Sequence, residues 1–251
     1  NSSFEELPTL FYDDFTNGWM TNWTFINIAS QGSGDWIIDN GALYQRHDEA
    51  SGGTDSPEYL ALAKEGNEWT NYSFSYTFSA VDERRQMGII RYQDTSNFYW
   101  WRIGAWNNIK LMKRQNGFDY ELARAYFPDI PFGIVGVPEP SYRVTATVGP
   151  EGINLNVVAG FNFSPSSLDD PVYDDRGITL VSTDTSIPKG TVGVATDSVT
   201  RTKFYDFVVS KIEDTSLFED NFSSGSMSKW STYSIVPGGN WAVNGGMLYQ
   251  S

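Results

Sequence analysis

The sequence predicts an all-β protein built as a two-sheet antiparallel sandwich or jelly roll. Three observations carry this prediction. An apolar period of 3.6 residues, the mark of an amphipathic helix, does not persist over about ten residues anywhere in the chain. Turn signals recur about every 8–12 residues, as in sandwiches and barrels. The stretch Tyr72–Ala80, YSFSYTFSA, alternates aromatic and small polar side chains, which is the period of a half-buried strand.

The elements follow in order from these signals. A strand is expected at residues 10–15, and residues 19–28 carry three aromatic side chains before a Gly/Ser turn. Asn40-Gly41 lies between two apolar runs and predicts a hairpin over residues 35–46. Asn116-Gly117 predicts a second hairpin in the same way. Further strands are expected at 59–63, 72–80, 87–92, 97–104, 109–114, 118–125, 142–148, 153–158, 178–181, 190–196 and 203–212.

The opening segment of the chain recurs near its end. The shared residues keep a spacing of 207 positions and then of 205: Phe11 and Phe218, Asp13 and Asp220, Phe15 and Phe222, Trp23 and Trp230, then Trp36 and Trp241, Leu43 and Leu248, Tyr44 and Tyr249. A repeat of this period is the size of one large β domain. We therefore predict one domain at 1–215 and a partial second repeat at 216–251. This repeat either opens a further module or donates strands to a neighbouring copy.

Composition excludes several classes of function. With 17 basic and 31 acidic residues the net charge is −14, which repels nucleic acid. The chain has no cysteine, which excludes disulfides, cysteine nucleophiles and thiolate metal sites. No apolar run approaches the roughly 18 residues of a membrane span.

Two features suggest an extracellular protein. The chain begins at Asn1 without an initiator methionine, as in a processed mature protein or an excised fragment. Five Asn-x-Ser/Thr sequons occur, and Asn22, Asn71 and Asn162 are the candidate glycosylation sites within the first domain.

The quoted segments resemble a known superfamily. The opening Asp-Asp-Phe, the strand pair GIIRYQDTSNFYWWRI, the strand YRVTATV and the closing KGTVGVAT and FYDFVV are similar to concanavalin A-like, laminin-G-like jelly rolls of extracellular repeat proteins. The resemblance covers about residues 10–212. It implies a structural Ca²⁺ between the first and last strands, held by Asp13 or Asp14 and by Asp206. The repeat has Asp220 at the Asp13 position but Asn221 at the Asp14 position, which favours Asp13. Exposed strand-end carboxylates without a metal are the alternative.

Residues 97–104 carry the candidate glycan site. Phe98, Trp100 and Arg102 lie on one face of this strand, and Tyr99, Trp101 and Ile103 on the other. One face must be core, and the other forms an aromatic and cationic row that sugars can bind. Arg91, Tyr92, Trp106 and Lys110 are close enough in sequence to join Trp100 and Arg102. Core and inter-module packing is the alternative role of these aromatic residues.

Catalysis has weaker support in the sequence. A histidine-dependent triad or metal site would depend on His47, the one histidine of the chain. The Glu-x-Asp-x-x-Glu strand signature of the related laminarinase-like enzymes is absent. Asp82 with Glu83, and Asp119 with Glu121, are the remaining carboxylate pairs a glycosidase could use.

The sequence thus favours a non-enzymatic extracellular surface module, stabilised by calcium, with a structural, adhesive or glycan-binding role. Its expected partners are neighbouring copies or modules and polysaccharide, within an array or filament. A polysaccharide-acting glycoside hydrolase module is the alternative.

Overall fold

The computed structural model of the chain forms two compact units, Asn1–Ile212 and Glu213–Ser251, and each is treated by itself. The residues that the structure describes are 8–28, 34–46, 56–80, 85–104, 108–126, 141–161, 172–173, 177–197, 202–212, 241–244 and 247–250.

The first unit is a sandwich of two antiparallel sheets, and this confirms the predicted fold class. The nine-stranded sheet runs in the order β13 (Val172–Tyr173), β12 (Gly152–Phe161), β11 (Ser141–Gly149), β6 (Tyr72–Ala80), β16 (Thr202–Lys211), β4 (Ala42–Gln45) and β3 (Trp36–Asp39), with β1 (Thr9–Asp13) paired to β16 and β14 (Ile178–Ser182) paired to β12. The seven-stranded sheet runs in the order β10 (Phe118–Tyr126), β9 (Asn108–Gln115), β8 (Asn97–Gly104), β7 (Gln86–Asp94), β15 (Thr191–Thr196), β5 (Tyr59–Ala63) and β2 (Trp23–Asn27). The described residues hold no helix long and apolar enough to cross a membrane.

The main core lies between the two sheets and follows from the alternation read in the sequence. Phe74, Tyr76 and Phe78 of β6 point inward and are buried. The Trp101 indole lies against Tyr76, and its Nε1 donates to the Tyr76 hydroxyl at 3.1 Å. Gly88 makes room for this indole, because a Cβ at that position would lie 2.1 Å from a Trp101 ring atom. The register of β7 and β8 therefore places Gly88 opposite Trp101, so that the large indole fits where a side chain is missing.

Both predicted hairpins form with the expected turn chemistry. Asn40 and Gly41 join β3 to β4 with φ of 51° and 74°. Asn116 and Gly117 join β9 to β10 with φ of 53° and 82°. Two successive residues in the left-handed region mark a type I′ turn, whose twist matches that of the flanking strands.

The other face of the seven-stranded sheet is also buried over its centre. Leu60, Met87, Ile89, Phe98 and Trp100 form a second apolar cluster there. The sequence predicted one core face and one open face for residues 97–104. The division into two faces is confirmed, but both faces of β8 are buried. Alternation alone cannot reveal whether the second face of a strand is also buried.

The second unit contains one described hairpin, β17 (Trp241–Asn244) paired with β18 (Met247–Gln250). Trp241 lies opposite Gln250 and Val243 opposite Leu248. The β3–β4 hairpin has the same register, because its first residue, Trp36, lies opposite Gln45. The repeated residues therefore form hairpins with the same strand register in both copies.

Candidate functional site

The candidate site is the surface of the seven-stranded sheet that faces away from the inter-sheet core, over β8, β9 and β10. The cross-strand registers place alternate side chains of these strands on it. We call it the β8–β10 face, and its described polar and aromatic side chains are Phe98, Trp100, Arg102, Asn108, Lys110, Arg114, Asp119, Glu121, Arg124 and Tyr126. A β-bulge between Glu121 and Ala123 allows Glu121 and Arg124, three positions apart, to lie on the same face.

Asp119 organises one end of this face. Arg114 donates to both Asp119 oxygens, from Nε at 2.9 Å and from Nη2 at 2.7 Å. Trp100 Nε1 donates to Asp119 Oδ1 at 3.2 Å, and Ser56 Oγ donates to Oδ2 at 2.9 Å. The bidentate geometry is the strongest form of an arginine–carboxylate pair. These contacts fix the Trp100 indole and the Arg114 guanidinium against the sheet.

Glu121 organises the other end, which is more open to solvent. Arg124 donates to Glu121 Oε1 from Nε at 3.0 Å and to Oε2 from Nη2 at 2.5 Å. The Lys110 ammonium lies 3.7 Å from Glu121 Oε2. The hydrogen bond from Arg124, aided by the charges of Arg124 and Lys110, holds the pKa of Glu121 below its usual value. Glu121 is therefore ionised and serves as a hydrogen-bond acceptor.

Tyr126 completes the open end. Its hydroxyl accepts a hydrogen bond from Arg124 Nη1 at 3.3 Å, and 61% of the residue is exposed. An exposed ring whose hydroxyl is held in place offers a flat apolar surface to a ligand. The open end thus combines an aromatic ring with Lys110, Glu121 and Arg124.

The structure brings Trp100 and Arg102 together on the β8–β10 face but buries both. Trp100 is 2% exposed, and Arg102 donates to Asn108 Oδ1 at 2.9 Å. The sequence analysis did not include Glu121, Arg124 and Tyr126 in the glycan site. The Asn-Gly hairpin predicts Met112 opposite Glu121, but the bulge that follows shifts Arg124 opposite Lys110. A bulge of this kind has no signal in a single sequence.

Arg91 lies away from this face, at a β-bulge in β7. Its φ is 48°, and its buried guanidinium donates to the carbonyls of Ile187, Thr70 and Gly149 at 3.0–3.1 Å. Its backbone N–H donates to the Tyr72 hydroxyl at 3.0 Å. These contacts give Arg91 a structural role, since they tie three separate segments together.

Several sequence predictions fall outside the described residues. These are the glycan-binding assignment of Trp106, the sequon at Asn162, the pair Asp82 and Glu83, and the possible role of His47. The sequons at Asn22 and Asn71 lie in described turns, with Asn22 exposed and Asn71 half-buried. Glycosylation of these two residues stays a prediction.

Asp13 is turned into the core. Its Oδ1 accepts the Phe15 N–H at 2.9 Å, and its Oδ2 accepts the Trp23 indole N–H at 2.8 Å. The carboxylate thus caps the turn after β1 and satisfies a buried indole. Because both oxygens have fixed donors, Asp13 fits a metal less well than the sequence analysis expected.

Asp14 and Asp206 lie at the surface, where β1 meets the bulge of β16. Partial desolvation at this surface position, and then the charge of Asp14, raises the pKa of Asp206, so the two carboxylates interact. Asp206 has a left-handed φ of 53°. Among the described residues, no group of three or more acidic or histidine side chains is arranged to hold a metal ion. A metal role for Asp14 and Asp206 stays a prediction.

Comparisons with known proteins establish the fold. No family model matches the chain. The carbohydrate-binding module CBM66 of Bacillus subtilis aligns over 76% of this chain and 97% of its own, with a TM-score of 0.53 and 16% identity. A Bacillus subtilis protein of unknown function with a galectin-like fold aligns over 82% and 97%, with a TM-score of 0.55 and 14% identity.

One curated protein is similar in sequence over part of the chain. It is an extracellular exo-α-L-arabinofuranosidase of Streptomyces chartreusis, 29% identical over 111 residues. The match covers 43% of this chain and 12% of that enzyme. A mutant GH43 protein of Bacillus licheniformis aligns in structure over 80% of this chain and 39% of its own, with a TM-score of 0.50 and 13% identity.

Proposed function

We propose that the protein is a non-catalytic, extracellular carbohydrate-binding module whose glycan lies on the β8–β10 face. The observation that carries the proposal is the open end of this face. There an exposed Tyr126 ring stands beside Lys110, Glu121 and Arg124, and the last two are held in one geometry.

The arrangement suits the chemistry of a sugar. A pyranose or furanose ring presents apolar C–H groups, which pack against an aromatic ring. Its hydroxyls both donate and accept, so they pair with a carboxylate and a guanidinium together. Because Glu121 and Arg124 are already ordered by each other, a glycan would bind with a smaller loss of side-chain entropy.

The comparisons support this proposal without deciding it. CBM66 has the same fold and is named as a carbohydrate-binding module. The arabinofuranosidase is named as extracellular, and the matched segment is a small part of it, as an accessory module would be. Fold alone does not transfer function, so the proposal rests on the side chains of the face.

A glycoside hydrolase module is the alternative, and the β8–β10 face argues against it. A general acid in such an enzyme needs a raised pKa. The pKa of Glu121 is lowered by Arg124, and both Asp119 oxygens accept hydrogen bonds from Arg114. These two carboxylates are built to accept hydrogen bonds and to orient cations.

Retention on polysaccharides tests the proposal. In affinity gels with a panel of soluble plant and bacterial polysaccharides, at least one should slow the wild-type protein. Tyr126→Ala should weaken that binding by about tenfold, since stacking and its ordered hydroxyl are worth roughly 1–2 kcal/mol. Tyr120→Ala is the matched control, because Tyr120 is exposed on the same strand but the opposite face. Equal retention of both variants would contradict the proposed surface.

Calcium remains a proposal, restricted to Asp14 and Asp206. Extracellular modules bind calcium with Kd values of about 10⁻⁴–10⁻³ M. Calcium at ten times its Kd would stabilise the folded protein by about 1.4 kcal/mol, which raises Tm by on the order of 3–5 °C. Asp206→Asn should abolish the shift, whereas Asp35→Asn, an exposed acid paired with Arg46, should leave it intact. If neither calcium nor a chelator changes the melting temperature of the wild-type protein, this proposal is wrong.

A structural or adhesive role in an array of modules is the second candidate, favoured by the shared hairpin register of β3–β4 and β17–β18. We propose that residues 216–251 open a second jelly-roll module. The mass of the polypeptide from its natural source should then exceed 28.2 kDa. A natural mass near that value would leave the donation of strands to a neighbouring copy as the remaining role of the segment.

A further inference from the structure

The β8–β10 face contains a row of three cations in direct cross-strand register. Arg102 of β8 lies opposite Lys110 of β9, and Lys110 lies opposite Arg124 of β10. Like charges directly opposite each other destabilise a sheet. A sequence that keeps three of them side by side departs from the usual pattern of strand pairs, and such departures concentrate at functional sites.

This face is cationic on a strongly acidic protein. The chain has 31 acidic and 17 basic residues, a net charge of −14. The described side chains of the face include four cations, Arg102, Lys110, Arg114 and Arg124, and two carboxylates, Asp119 and Glu121. The sign of the local charge is therefore opposite to that of the whole chain, which favours an anionic ligand at this surface.

The cations at the open end retain donors for such a ligand. An arginine has five N–H groups. Within the part of the chain that the structure describes, two of those of Arg124 bond Glu121 and one bonds Tyr126, which leaves two. The Lys110 ammonium has three donors, and among the described residues its ion-pair partner is Glu121, at 3.7 Å. Both groups lie beside the exposed Tyr126 ring, within reach of a carboxylate on a sugar stacked there.

We infer that the β8–β10 face selects acidic polysaccharides, in which a uronate carboxylate lies between Lys110 and Arg124 while its sugar ring stacks on Tyr126. This inference rests on the proposed function and adds the chemical class of its ligand. Arg102, next to Lys110 in the same row, adds positive potential from below the surface. A neutral sugar would leave the remaining donors of Lys110 and Arg124 to water.

The test compares an acidic polymer with its uncharged methyl ester. The full chain is run by affinity electrophoresis through gels that contain increasing amounts of polygalacturonate or of its fully methyl-esterified form. The ester should bind at least tenfold more weakly, the scale of one charge-assisted hydrogen bond. Binding of the charged polymer should also weaken between about 0.05 and 0.5 M salt, because surface charges are screened.

Two lysine variants with the same change in net charge locate the effect. Lys110→Gln should lower the affinity for polygalacturonate about fivefold to tenfold, and Lys110→Arg should retain it. Lys189→Gln is the matched control, since Lys189 is half-exposed and paired with Glu68 in another part of the molecule. It should change the affinity by less than about twofold.

Each outcome decides between the proposals. Equal binding of the acid and its ester, or equal losses in the two Gln variants, would overturn the preference for acidic glycans. Retention of neutral polysaccharides alone, with sensitivity to Tyr126→Ala, would overturn it while leaving the proposed function standing. Failure to bind any polysaccharide would overturn both.

Discussion

Replacement of Trp100 by alanine is expected to destabilise the first unit by about 3–5 kcal/mol, the usual cost of removing a buried aromatic side chain. For a unit of this size that is on the order of 10 °C in Tm. Trp100 is 2% exposed, packs in the second apolar cluster and donates to Asp119. The substitution would leave a cavity and remove one donor from a part-buried carboxylate.

Trp19→Ala is the control for this prediction. Trp19 is 65% exposed, so its removal should change the free energy of unfolding by less than about 0.5 kcal/mol. Both variants are followed by thermal denaturation and by retention on polysaccharide. A Trp100→Ala protein that melts like the wild type and loses only its glycan would restore Trp100 as a direct binding residue.

Replacement of Arg91 by methionine is expected to cost about 2–5 kcal/mol. Methionine fills much of the volume but leaves the carbonyls of Thr70, Gly149 and Ile187 without their donors. The contact with Ile187 is buried and those with Thr70 and Gly149 are part-buried, and a fully buried group that loses its partner costs about 1–3 kcal/mol. Urea denaturation measures the loss of free energy, while glycan binding by the folded fraction should not change.

Arg46→Met provides the comparison. Arg46 forms an exposed ion pair with Asp35, which is worth about 0–1 kcal/mol. If both substitutions shift the urea midpoint equally, the buried network of Arg91 has no special role in stability. If Arg91→Met loses glycan binding with its stability intact, the assignment of Arg91 to the binding surface was correct.

The sequence was sufficient for the fold because local and global signals agree in this chain. The alternation in Tyr72–Ala80 placed Phe74, Tyr76 and Phe78 in the core, and the structure buries all three. Asn40-Gly41 and Asn116-Gly117 fixed two hairpin registers through their left-handed turns. Each of these features depends on neighbours in sequence, so no long-range knowledge was needed.

The site could be predicted only in part because it depends on contacts between distant segments. The alternation of side chains along β8 assigns each residue to one of two faces, but it does not reveal that Trp100 and Arg102 are both buried. The carbonyls that bind Arg91 come from three segments far apart in sequence. The bulge after Glu121 sets the position of Arg124, and it is a property of the folded sheet.

The same limit applies to the metal prediction. The resemblance to laminin-G-like domains pointed to Asp13 or Asp14, and the repeat favoured Asp13, whereas the structure turns the Asp13 carboxylate toward Phe15 and Trp23. The repeat keeps all three of these residues, as Asp220, Phe222 and Trp230. Retention of Asp220 is therefore explained by a packing motif as well as by a ligand role.

Mapping a bound glycan on the protein tests the central claim most directly. Amide chemical shifts of the labelled full chain are followed by NMR while a retained oligosaccharide is added. The proposed site predicts saturable shifts concentrated at Lys110, Glu121, Arg124 and Tyr126, with no cleavage of the glycan. Shifts confined to the nine-stranded sheet, or release of new reducing ends, would contradict a non-catalytic binding surface on the β8–β10 face.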